Sequence, residues 1–195
     1  MTALVLLALS LAAPVPKDFA NPRDYFPTAV GAKWEYVSSG VGEDRTHVEE
    51  VTAAEADKAG VLSVTFHRTR PEVAVGFDTV YVVGKQDIAL AKSGPNTYDP
   101  PLPYLKKGMK AGDSWEVETE IGGRKSTFQF KVGKAAEVKT PAGTFVAVPV
   151  IRQTKGSKIA GYTYWYAPDV GLVKTDAGKV TTVLTKYTPG KDAGK

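Results

Sequence analysis

Two histidines, His47 and His67, and a row of three glutamates, Glu116, Glu118 and Glu120, come nearest in type and spacing to chemistry. A histidine pair meeting across a strand ladder is one way to build a metal or general acid–base site. A hairpin turning at Asp57-Lys-Ala-Gly60 brings His47 and His67 close, but with a mismatch of three residues. That is more than one bulge absorbs, so the spacing predicts two solvent-side histidines and no functional pair. The glutamates alternate along one strand, which sets successive carboxylates about 7 Å apart. One hard cation cannot gather all three, and Ca²⁺ draws its carboxylates from tight loops. They read as a solvated face.

Other chemistry is excluded by composition. The 195 residues include no Cys, so there is no thiol nucleophile, thiolate metal site, disulfide or lipid-bearing N-terminal Cys. Two His are too few for the usual multi-histidine zinc site. No Ser stands in a G-x-S-x-G elbow. Lys106, Lys107 and Lys110 sit beside Tyr104 but lack the aromatic platform of a nucleic-acid surface. An anionic lipid headgroup or cell-wall polymer would suit that patch as well, and a net charge of +4 needs no polyanion to explain it. The expectation is a protein that is not an enzyme, with no metal, no cofactor and no nucleic-acid partner.

The elements that must position any site are strands. From Lys33 onward, segments alternate with period two and end at turn signals. Trp115, Val117, Thr119 and Ile121 share one face, opposite the glutamates, and Gly122-Gly123 supplies a hairpin turn. About ten or eleven strands follow in order. Helical signal is confined to one turn near Arg23 to Phe26, capped by Asn21-Pro22, and a weaker stretch from Ala53 to Ala59. The fold class is all-β: a curved antiparallel meander forming a half-barrel or open barrel.

Two segments are apolar on both faces. In Thr144 to Ile151, Phe145, Ala147, Pro149 and Ile151 alternate with three valines, and Tyr162, Tyr164 and Tyr166 share a face opposite Trp165. Such strands are covered on both sides or line a cavity. Pro149 cannot donate to a ladder, so its strand is an edge there or bulges.

An echo divides the body. Gly31-x-x-Trp34-Glu35 and Gly112-x-x-Trp115-Glu116 each open an alternating strand, 81 residues apart. In each, Gly permits the turn and Trp plugs the core. The organisation expected is a signal peptide over residues 1–12, one β domain over 21–187 with halves 25–97 and 104–187, and a disordered tail over 188–195. The halves differ in charge, with 9 basic and 12 acidic residues through Thr97 and 16 and 9 after it. Lys92 to Asp113, with four prolines, is expected to be a flap over the sheet. The apolar run Ala3 to Ala13 is too short to span a membrane and ends in small residues, Ser10 and Ala12, although no Lys or Arg precedes it. It predicts an extracytoplasmic chain, periplasmic or secreted, not lipid-anchored, with no stable membrane insertion after cleavage.

Three motifs in order carry a resemblance: Tyr25-Phe-Pro…Gly31-x-x-Trp34-x-Tyr36, Thr140-Pro-Ala-Gly143-Thr-Phe145, and Trp165-Tyr-Ala-Pro-Asp169-Val-Gly171-Leu-Val-Lys174. Across roughly residues 25 to 187 the chain resembles exported bacterial β-rich domains of unknown function that carry a PAGTF hairpin and a WYAPGVGLVK strand pair. Asp169 departs from that pattern, which has Gly there. The resemblance extends to the curved half-barrel of lipoprotein-carrier (LolA/LolB-like) proteins. It implies a concave apolar surface but no catalytic residue. Lipocalins are the rival barrel, although their Gly-x-Trp spacing differs and the second copy has no counterpart in them.

The function expected is a monomeric, non-enzymatic binding module holding an apolar small molecule or lipid in its concavity. Tyr162, Tyr164, Tyr166, Tyr98 and Tyr104 are its candidate ligand contacts. Gly31, Trp34, Gly112, Trp115, Gly143, Phe145, Trp165 and Gly171 are its structural positions. The alternative is a structural or interaction component of the cell envelope.

Overall fold

Period-two alternation dictates extended chain, and the backbone follows it through almost every residue. A computed structural model describes residues 21–73 and 75–191; the expected signal peptide and residues 192–195 lie outside them. Strands follow as β1 Lys33–Ser39, β2 Arg45–Ala56, β3 Leu62–Arg70, β4 Val75–Val83, β5 Asp87–Ser93, β6 Asn96–Lys106 and β7 Ser114–Ile121. Then come β8 Arg124–Val132, β9 Ala136–Thr140, β10 Gly143–Thr154, β11 Tyr162–Ala167, β12 Gly171–Ala177 and β13 Val180–Thr188. Each strand from β1 to β8 pairs antiparallel with the next, β8 pairs with β10, and β10 through β13 continue the ladder. The pairing of β13 with β1 closes the ring. Twelve strands form a closed barrel and β9 stands outside it, paired with the first half of β10.

The expected half-barrel of ten or eleven strands is therefore corrected to a closed barrel. One missing strand is the proline-rich segment: it is no flap, because Asn96–Lys106 is β6 within the wall. Prolines thin its ladder to two residue pairs with β7, Tyr98 opposite Ile121 and Asp99 opposite Glu120. Side chains supply donors where the ladder stops. The Thr119 hydroxyl donates to the Pro100 carbonyl at 2.7 Å and Trp115 Nε1 to that of Pro103 at 3.1 Å. Ala53 to Ala59 is likewise not helical. Pairing of β2 with β3 holds it extended to Ala56, and Asp57 Oδ1 then accepts from the Ala59 and Val61 amides.

Both two-faced segments find cover. β10 leaves β9 after Ala147 and joins β8 at Val150, so Pro149 sits at the changeover where no ladder amide is needed. Gly133 fits beneath it, since a Cβ there would lie 2.7 Å from Pro149 Cγ. The β9–β10 hairpin packs against β12 and β13. β12 parts from β13 beyond Val183, and the Ala142 amide donates to the freed Leu184 carbonyl at 3.3 Å.

The Gly-x-x-Trp echo has matching hydrogen bonds. The Gly31 amide donates to Val51 and the Val51 amide to Ala32, while Gly112 donates to Val132 and Val132 to Asp113. Both glycines have positive φ, +83° and +101°. Trp34 is 3% exposed and Trp115 half-buried, stacked on Phe130 with centroids 5.1 Å apart.

One end of the barrel is filled. Asn21 Oδ1 accepts from the Arg23 amide and caps a single 3₁₀ turn, Pro22–Tyr25, that buries Tyr25. The next residue, Phe26, is also buried and meets Phe66 and Tyr81 edge-on at 5.3 and 4.9 Å. Thr188 pairs with Lys33 and the Lys191 amide donates to Val30, so residues 188–191 are docked where disorder was expected.

Candidate functional site: a cavity in the barrel lumen

Inward positions of the strands away from that plug enclose a cavity of about 600 Å³. Its floor includes Tyr36, Phe66, Tyr81, Leu90, Tyr166 and Leu172, and exposed Val41, Glu43, Arg45 and Arg70 mark its rim. All five candidate tyrosines line it: Tyr162, Tyr164 and Tyr166 from β11, which alternation set on one face, with Tyr98 and Tyr104 from the proline-rich β6. Tyr104 lies edge-on to Tyr164 at 5.1 Å, and Tyr162 stacks on Tyr164 at 6.0 Å. Burial pushes the Tyr36, Tyr81, Tyr164 and Tyr166 hydroxyls upward, so they stay neutral at physiological pH.

The wall is not purely apolar. Val148, Val150 and Arg152 share the inward face of β10, so the apolar row ends in a guanidinium inside the lumen. Arg152 lies directly opposite Tyr162 on one side and Phe130 on the other. The Tyr104 hydroxyl accepts a hydrogen bond from it. Its guanidinium carbon lies 4.6 Å from the Tyr162 ring centroid, 5.4 Å from Phe128, 5.6 Å from Tyr164 and 5.7 Å from Tyr104.

Across the lumen, Arg68 is paired with Glu49, and Nε donates to the carboxylate at 2.8 Å. His47 stacks on Tyr36 with centroids 4.9 Å apart. Burial, with the positive field of Arg68, lowers its pKa to about 4. This corrects the expectation of two solvent-side histidines. His47 lines the lumen, whereas His67, opposite Glu50 in the register, bonds Asp78 Oδ1 at 2.7 Å. β2 carries polar residues on both faces, so hydropathy alone gave His47 no preferred side. Alternation held a signal for Arg152, two residues beyond the inward Val150, but none for its aromatic surroundings.

The glutamate row is exposed, with Lys155 Nζ on Glu116 and Lys125 Nζ on Glu118, each at 3.0 Å. Among the described residues no group of His, Asp and Glu is arranged to hold a metal ion. The remaining structural positions lie outside the cavity. Gly143, at φ +140°, turns β9 into β10, where Phe145 packs on the core. Trp165 donates Nε1 to Asp176 at 3.2 Å on the outer wall. Asp169 adopts φ +61°, which Asp tolerates better than most residues; that is why it can stand where the motif has Gly. Gly171, at φ +85°, lies under Pro27.

Fold and cavity together define a closed, plugged antiparallel barrel with a lumen of tyrosine and arginine. No family model and no curated protein matches the chain. Two solved structures share the fold. One is a candidate lipoprotein of Parabacteroides distasonis, 19% identical, TM-score 0.53, covering 84% of this chain and 98% of the other. The second is a candidate exported protein of Bacteroides fragilis with a YmcC-like fold, 15% identical, TM-score 0.54, with the same coverage. At these identities the likeness shows a shared fold alone, and the closed ring made by β13 on β1 departs from the half-barrel expected from the LolA/LolB resemblance.

Proposed function

We propose that the protein is an exported, non-enzymatic binding module that holds a small molecule or lipid-like ligand in the barrel lumen. The observation that carries this reading is the cavity of about 600 Å³, a size typical of ligand sites, left beyond a plugged and well-packed barrel end. The short apolar N-terminal run and the exported description of the Bacteroides fragilis structure support placement outside the cytoplasm. Charges on the outer wall, such as Glu116, Glu118 and Glu120, suit water; a membrane-spanning barrel presents an apolar band. Native mass spectrometry of protein purified from its own envelope tests the proposal. A co-purifying adduct that denaturation releases is expected, and a ligand-free mass from gently handled material would count against it.

A further inference from the structure

We propose that Arg152 anchors an anionic group, carboxylate or phosphate, of a ligand whose apolar body lies along the aromatic wall. The inference rests on the lumen being a binding site. It starts from the contrast between two arginines that line the same lumen from opposite sides. Arg68 faces Glu49 across one ladder and is neutralised by it. Arg152 faces Tyr162 and Phe130, and among the described residues no carboxylate pairs with it.

A guanidinium has five N–H donors in a planar fork, and the protein supplies one acceptor here, the Tyr104 hydroxyl. Four aromatic faces attract the cation, yet each offers only part of what a counter-ion gives. The surrounding field has the same sign. The cavity is lined by four arginines against two glutamates, Glu43 and Glu49, and His47 is neutral at physiological pH. An oxyanion beside Arg152 receives charge-assisted bonds from the fork. Phenol hydroxyls of Tyr98, Tyr162 and Tyr164 also line the cavity and can donate as well. Leu90, Phe66 and Leu172 offer apolar surface to the rest of the ligand.

The experiment titrates the full mature chain by calorimetry with dodecanoate, dodecyl phosphate and neutral dodecanol below their aggregation limits. Both anions are expected to bind at least tenfold tighter than dodecanol, with the difference shrinking as salt rises. Whichever anion binds tighter identifies the natural group as carboxylate or phosphate. Arg152→Met is expected to erase the preference while keeping dodecanol binding, and Arg152→Lys to retain part of it. Equal affinity for all three probes in the unmodified protein overturns the anchor and leaves the lumen reading standing; this comparison needs no variant to fold. Failure of all three to bind overturns both.

Discussion

Glu49 and Arg68 lie directly opposite one another in the β2–β3 ladder, both turned into the barrel lumen. Their side chains are 17% and 32% exposed, so the pair is mostly sheltered from water and from salt. That geometry gives one lumenal arginine its counter-charge; the depressed basicity of His47 beside it comes first from burial, with Arg68 adding to it and Glu49 opposing it.

Removing one member of a sheltered pair strands the other. Glu49→Gln is expected to destabilise the fold by about 2 kcal/mol, less than a fully buried pair because Arg68 reaches some solvent. Glu49→Gln combined with Arg68→Met should recover most of that loss. Urea unfolding of the three proteins decides it, and a double variant no better than the single one would refute the coupling.

His47 makes stability depend on pH with a definite sign. Its folded pKa lies near 4, below the ordinary histidine value of 6.5, so the unfolded chain takes up the proton first. Its contribution is fully present above about pH 6.5 and is lost as pH falls towards 4, on the order of 3 kcal/mol in all. His47→Gln should flatten that part of the profile relative to the unmodified protein. Unfolding at pH 7, 5.5 and 4.5 measures the difference, and parallel profiles would exclude His47 as the source.

The β6–β7 seam depends on side chains because prolines cannot supply ladder donors. Thr119 is 1% exposed, and its hydroxyl donates to the Pro100 carbonyl. Thr119→Val keeps the shape and removes the donor, which should cost about 1–2 kcal/mol. Hydrogen exchange should quicken at Ile121 and Tyr98, which flank the seam, more than at β2 and β3. Uniform quickening across the barrel would show only global destabilisation.

Gly171 is constrained twice, by φ +85° and by Pro27 Cδ, 3.1 Å from where a Cβ would stand. Trp34 Nε1 donates nearby to the Val170 carbonyl at 2.6 Å. Gly171→Ala should lower stability by about 2 kcal/mol through backbone strain and displacement of the plug. Asp169→Gly should change it by less than about 1 kcal/mol, because the left-handed conformation there is already adopted. Thermal unfolding compares the two, and an equal loss in both would deny Gly171 its special role.

Strand content, hairpin turns and the shared face of Tyr162, Tyr164 and Tyr166 were legible in the amino-acid sequence, because a strand's side chains alternate by local geometry alone. The 81-residue echo was legible for the same reason: Gly permits a turn and Trp fills a core wherever the chain repeats that task. The resemblance to the WYAPGVGLVK motif marked Asp169 as a departure, and its left-handed backbone supplies the reason it is accommodated.

What tertiary structure alone decided involves partners far apart in the chain. Closure rests on β13 meeting β1 and β10 meeting β11, and strand count and curvature emerge only when the ring is complete. The prolines that suggested a flap are tolerated in β6 because Thr119 and Trp115 donate from the neighbouring strand. The turning of His47 and Arg152 into one lumen follows from register and closure. A charge on a strand has no fixed meaning until the sheet decides which face is inside and which charges share it. Glu49 gives Arg68 its counter-ion, while Arg152 is placed among aromatic rings.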